Sequence, residues 1–194
     1  MSQETEERIV RAFLKLAAER GIDRTTTREV ADAAGVNEVT IFRRFGDKER
    51  LARAAIQYFH PGRDFEAYPL EIDASSSDAA AAGITRVMVF IRDRLRDRSE
   101  LLQFGLGEAT RFPALLELVH EGPLTGLRLL RRALERAAPR LRPEVDIEAS
   151  VMSLLGLVLL TTIWTSRGWL RLDEPQWDGL FHNAVRPLVR VDHG

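Results

Sequence analysis

Apolar positions in the first sixty residues recur at helical spacing rather than alternating. Ile9, Phe13, Leu16 and Ala17 form one stripe between charges, which predicts a helix over 5–20 closed by Gly21 as a left-handed cap. A second helix starts at Thr25 or Thr26. Thr26 with Glu29 three residues on forms a capping box, and Val30, Ala31 and Ala34 supply the apolar side. Gly35 makes the turn, and Val36 plugs the angle that follows. A third helix runs from about 37 to 45. At 100° per residue, Ile41 and Phe45 share one side, while Val39, Thr40 and Arg43 fall opposite with Arg44 beside them. Asp47 is the N-cap of a fourth helix, 48–59, with Leu51, Ala55 and Phe59 inward.

Residues 60–78 change character. Two prolines, a glycine, a serine cluster and several acids predict a connector. Helices are expected over 79–97 and 99–110, with Pro113 marking a break. The stretch 114–137 is one helix or two, because Gly122-Pro123 sits inside it. Pro139 and Pro143 bracket a turn. The most apolar helix spans 146–169. The last, 173–191, carries Trp177, Leu180, Phe181, Ala184 and Leu188 on one side. No strand or internal repeat is evident. The pattern predicts an all-α fold.

Composition narrows the picture. With 194 residues the chain can bury a sizeable core, and with no cysteine it has neither disulfides nor thiolate chemistry. The four histidines are scattered, and no pair stands at helical metal-ligand spacing. Net charge is -1, so charge placement carries more than the sum: residues 40–53 hold five basic side chains against two acidic ones. The polar, acidic start has no signal-peptide character. The apolar run 151–164 falls short of the roughly 20 residues that span a bilayer, so a buried helix and a cytoplasmic protein are expected.

The helix–glycine–helix stretch carries the candidate chemistry. A first helix lying across the DNA backbone props a second in the major groove. Thr40, Arg43, Arg44 and Asn37 are the residue types that read base edges, and Glu38 could accept from a cytosine amine. Thr25, Thr27, Arg28 and Lys48 stand at helix starts, where hydroxyls, amides and cations meet phosphates. On periodicity alone, an ordinary three-helix bundle with a solvated basic face fits as well. No G-x-S-x-G, H-E-x-x-H, phosphate-binding loop or cysteine nucleophile is present, so no enzyme is expected, and neither a cofactor nor a metal. A helical protein-interaction module without sequence-specific DNA binding is the alternative.

Residues 8–56 resemble the N-terminal domain of the TetR family of transcriptional regulators. The resemblance rests on Gly21, Thr26 to Ala31, Ala34-Gly35-Val36, Thr40-Ile41-Phe42-Arg43-Arg44-Phe45 and Lys48. It implies DNA contacts by Thr27, Arg28, Asn37, Val39, Thr40, Phe42, Arg43, Arg44 and Lys48. Phe42 stands where the family usually has tyrosine, so it keeps the van der Waals contact without a donor. Arg43-Arg44 replaces the usual aromatic residue or histidine, which implies a more electrostatic interface, with contacts to guanine or to phosphate.

The stretch 108–123 resembles the family more weakly. The resemblance implies a helix-turn-helix DNA-binding domain over 1–50 and a ligand-binding and dimerisation domain over 51–194. It further implies a homodimer through the last two helices, a double-stranded operator that is palindromic, and release of a repressor by a small-molecule effector, with no membrane partner. Met88, Ile91, Phe104, Phe112, Leu127, Met152 and Trp164 are candidate effector-lining residues, although residues of these types are more often plain core than ligand contact. Arg111 and His120 could orient a polar effector.

Overall fold

The computed structural model describes residues 2–60, 62–98 and 113–191. The fold is all-helical. The described elements are α1 (Gln3–Arg20), α2 (Thr27–Ala34), α3 (Glu38–Phe45), α4 (Lys48–Phe59), α5 (Gly62–Ala67), α6 (Ser77–Arg96), α7 (Pro113–Ala137), α8 (Ile147–Ser166) and α9 (Glu174–Val185), with 3-10 turns at Ala138–Arg140 and Arg186–Leu188. The helix expected over 99–110, with Phe104, Arg111 and Phe112, lies outside the described residues, as does the His120 side chain.

Two compact units are present, one built on 1–60 with 98–122 and the other on 61–97 with 123–194. In the first, α1 packs against α2 and α4, and α3 against both α2 and α4. Its core joins Ile9, Val10, Phe13 and Leu14 of α1 to Val30, Ile41 and Phe45. Leu51, Ala52, Ala55, Ile56 and Phe59 of α4 complete it. Burying each large apolar side chain contributes roughly 1.5–3 kcal/mol. α4 is therefore part of this core, and a boundary at residue 50 would cut through it.

Local signals set the helix ends. Ser2 caps α1. The Thr26–Glu29 capping box closes reciprocally at α2, Asn37 caps α3, and Asp47 caps α4. Gly35 takes the left-handed conformation, at φ 65° and ψ 42°. Gly21 does not: its φ of 89° is positive but its ψ of 157° is extended, because the chain leaves α1 toward Ile22 instead of folding back.

In the second unit, α6 packs against both α8 and α9. The stretch expected as a bare connector contains the short helix α5, whose Phe65 is buried. Residues 70–75 are tied down by arginines of the α7 end. Arg136 donates to the Leu70 carbonyl, and Arg140 donates to the carbonyls of Ala74 and Ser75. α7 begins at Pro113, whose missing N–H costs nothing in a first turn. It then runs unbroken through Gly122-Pro123, where the buried face of Leu129, Leu130, Ala133, Leu134 and Ala137 offsets the hydrogen bond Pro123 cannot make.

α8 lies within the expected 146–169. It has 20 residues and is long and apolar enough, by length and composition, to cross a membrane. One side of it is nevertheless in the protein core, through Val151, Leu154, Leu155, Val158 and Thr162. Thr161, Thr162 and Thr165 return their hydroxyls to backbone carbonyls one turn back, so these polar groups are satisfied within an apolar helix. Although no strand was expected, Leu141 and Val189 form an isolated antiparallel bridge. Arg142 donates to the Val189 carbonyl, and Arg190 to that of Leu141.

Candidate nucleic-acid interface

α2 and α3 meet through the Gly35 turn. The contact is fixed at the start of each helix: the Thr27 hydroxyl donates to Glu38 Oε1 at 2.6 Å. From the other side, Ile41 and Phe45 anchor α3 in the core. The opposite face is therefore free. On it Val39 is 68% exposed and Phe42 is 50% exposed. These two apolar side chains on the open face of a short helix are not held there by intramolecular packing. They suit contact with apolar groups such as thymine methyls.

The candidate residues divide by what already occupies them. Arg28 and Arg43 are exposed and make no hydrogen bond or ion pair among the described residues. Thr40 is half-buried on the same helix as Arg43. Asn37 is exposed, and its Oδ1 accepts from the Val39 N–H at 2.9 Å, which leaves only its amide hydrogens for a base. Lys48 Nζ donates to the Ile22 and Asp23 carbonyls at 2.9 and 3.3 Å, leaving one of its three hydrogens for a phosphate.

Two candidates stand differently from the expectation. Thr25 is wholly buried, and its hydroxyl donates to the Gly21 carbonyl at 2.9 Å. It braces the α1–α2 corner, with its hydroxyl turned inward to the backbone instead of to solvent. Arg44 turns away from the free face of α3. Its Nε and Nη2 donate to both oxygens of Glu6 at 3.1–3.3 Å, and its guanidinium lies 5.8 Å from the Phe45 ring centroid. Sequence reasoning did not single out Glu6. Thirty-eight residues separate the partners, and no local pattern marks such a pair. Beside it, the Glu7 carboxyl is held below its ordinary value by Arg11 and by the Tyr58 hydroxyl, both hydrogen-bonded to it.

The effector candidates do not converge. Met88 and Ile91 are fully buried on α6, and Leu127 is half-buried. Met152 is 61% exposed and Trp164 is 42% exposed. These last two lie on the outer side of α8, one, two or three turns along a line with Gly156 and Leu160, and do not line an interior with Met88. A separate open groove of about 630 Å³ lies between α6 and α9. Ala82, Thr85, Arg86 and Val89 form one wall, and Asp178, Gly179 and His182 form the other. None of these is among the candidates that the sequence offers, because the groove forms only where two helices distant in sequence meet.

Two short capped helices joined by a left-handed glycine, the second anchored on one face and open on the other, form a helix-turn-helix. Residues 9–55 match the family model described as bacterial regulatory proteins, tetR family. An uncharacterized HTH-type transcriptional regulator, YvkB of Bacillus subtilis strain 168, is 27% identical over 126 residues, which are 65% of this chain and 64% of that protein. The chain thus spans somewhat less than two thirds of that relative. Among solved structures, the fatty acid degradation regulator FadR from Bacillus halodurans superposes with a TM-score of 0.70 at 17% identity, over 95% of this chain and 96% of that one. NalD of Pseudomonas aeruginosa, the secondary repressor of the MexAB-OprM multidrug efflux pump, gives 0.71 at 18% identity, over 98% and 99%. Residues 9–55 are thus similar to the DNA-binding segment of TetR-family transcriptional regulators, a family of regulators, not of enzymes.

Proposed function

We propose that this chain is a cytoplasmic, homodimeric repressor that grips a palindromic operator and is released by a small-molecule effector. The observation that carries the DNA end is the free face of α3: exposed Val39 and Phe42 beside Arg43, with Ile41 and Phe45 anchored behind. Arg43 is the guanidinium available for a base edge, with Thr40 beside it. Arg28, Thr27 and Lys48 meet the phosphates at the helix starts.

The dimer is supported by α8. Met152, Gly156, Leu160 and Trp164 recur every four residues on its exposed side, a stripe opposite its buried one. A Cβ added at Gly156 would meet nothing within 4 Å, so a second helix can approach closely there. A two-fold dimer places two recognition helices on half-sites about 34–36 Å apart, or a multiple of that. Binding of an effector within the second unit would favour a dimer with the wrong separation. It can do so only through unequal affinity for the two states.

Selection of bound sequences from a random duplex pool tests the reading. The expected product is an inverted repeat, bound with a steep salt slope. Arg43→Ala should then weaken the selected site by about 1–3 kcal/mol and relax preference at one position per half-site. Binding of duplex without sequence preference, or none at all, would favour the protein-interaction module instead.

A further inference from the structure

Arg43 and Arg44 are neighbours in sequence, and only Arg43 is free. We propose that Glu6 is a carboxylate gate on Arg44: it occupies the guanidinium in the unbound protein and yields it to a DNA backbone phosphate on binding. The proposal rests on the DNA-binding reading of α3 and adds a residue of α1 to it.

Three observations point to exchange rather than a fixed brace. First, the pair is bidentate, through Nε and Nη2, and a phosphate presents two oxygens to the same fork as a carboxylate does. Second, neither partner is committed by burial. The Arg44 side chain is 52% exposed and that of Glu6 27% exposed, so breaking the pair strands no charge in the core. Glu6 stands in the first turn of α1, where the helix dipole stabilises a lone carboxylate. Third, the pair lies in an open cleft of about 520 Å³ that also receives Arg50, Gln57 and Tyr58. A phosphate entering there would meet a second guanidinium and an amide.

The gate opposes every DNA sequence equally, because phosphates carry no sequence information. It lowers the affinity for random duplex and leaves discrimination to Arg43 and Thr40. Exposed ion pairs of this kind are worth little, so removing the competitor should strengthen duplex binding by roughly 2- to 5-fold.

The test uses the whole chain and a labelled random-sequence duplex of about 24 base pairs, titrated at several salt concentrations. Glu6→Gln should bind that duplex roughly 2- to 5-fold more tightly than the wild type. The gain should vanish when Arg44→Gln is added. Tightening that persists in the Arg44→Gln background would mean a general charge effect and overturn the gate. Unchanged or weaker binding by Glu6→Gln would mean that the pair only braces α3, and also overturns it. A second readout needs no Glu6 variant: the Arg44 Nε–H resonance, assigned by its loss in Arg44→Gln, should move when duplex is added to the wild type, and an unmoved resonance overturns the proposal. Wild-type protein that retains no duplex at any salt removes the DNA-binding reading itself, whereas retention with either adverse variant result removes the gate alone.

Discussion

The Arg92 guanidinium lies 5.1 Å from the Trp177 ring centroid and 2.8 Å from Glu174 Oε2. Arg92 is 2% exposed, and it also bonds Asp93 through Nε and Nη2. A charge on α6 is thereby held against the first turn of α9 by an aromatic face and two carboxylates. Its Nη1 makes no hydrogen bond. Arg92→Ala would lose the stacking area and leave the two acids facing each other. A loss of about 2–4 kcal/mol is expected. Arg92→Met, which refills the volume without a charge, should lose less. Urea unfolding followed by tryptophan fluorescence gives both values, and equal losses would show that the charge, not the packing, matters.

The same clasp sets an acid limit. Arg96, and then Arg92, hold the Glu174 carboxyl below its ordinary value of 4.5. Arg11 and Tyr58 do the same for Glu7. A depressed carboxyl contributes stability that is complete above the unfolded value and lost as pH falls toward the folded one. Melting temperature should therefore be flat above about pH 5.5 and fall below about 4.5. Glu174→Gln should lower the plateau and flatten the fall. An acid limb of unchanged steepness in that variant would contradict the assignment.

Thr25 separates folding from recognition. Its hydroxyl is fully buried and donates to Gly21 O. Thr25→Val keeps the shape and leaves that carbonyl without its partner, at a cost of about 1–3 kcal/mol. Duplex affinity of the folded protein should stay within twofold or so of the wild type. A salt slope reduced by about one would show a lost phosphate contact and return Thr25 to the interface.

Leu160 distinguishes an interface from a core. It is 47% exposed in the single chain. Leu160→Glu should leave helix content unchanged and shift a dimer to monomer in sedimentation or light scattering. The neighbouring core side chain Leu155 should behave oppositely: Leu155→Glu should unfold the second unit, since it buries a charge without a partner. A native-size Leu160→Glu dimer would move the interface off α8.

The locally encoded part of the fold was legible. The α2 capping box, the Gly35 turn, the Asp47 cap and the bounds of α4 each depend on residues within four positions of one another. The anchored and free sides of α3 follow from its 3.6-residue period, so Ile41 and Phe45 could be assigned to the core without coordinates. What stayed hidden depends on distant partners. Thr25 looked like a helix-start hydroxyl because nothing nearby shows that the corner closes over it. Arg44 looked as available as Arg43 because Glu6 is far away in sequence. Met152 and Trp164 looked like lining because an apolar helix face does not reveal whether it meets its own chain or another.

The Leu141–Val189 bridge turns the last two helices into a closed loop of backbone. Arg142 N bonds the Leu188 carbonyl and Arg190 N that of Arg140, so the ring is latched by main-chain hydrogen bonds on both strands. Amide hydrogens at Arg142 and Arg190 thus report on the opening of the whole α8–α9 hairpin, not on fraying of a tail. Their exchange should be slow and concerted, and a second chain docked along α8 should slow both together.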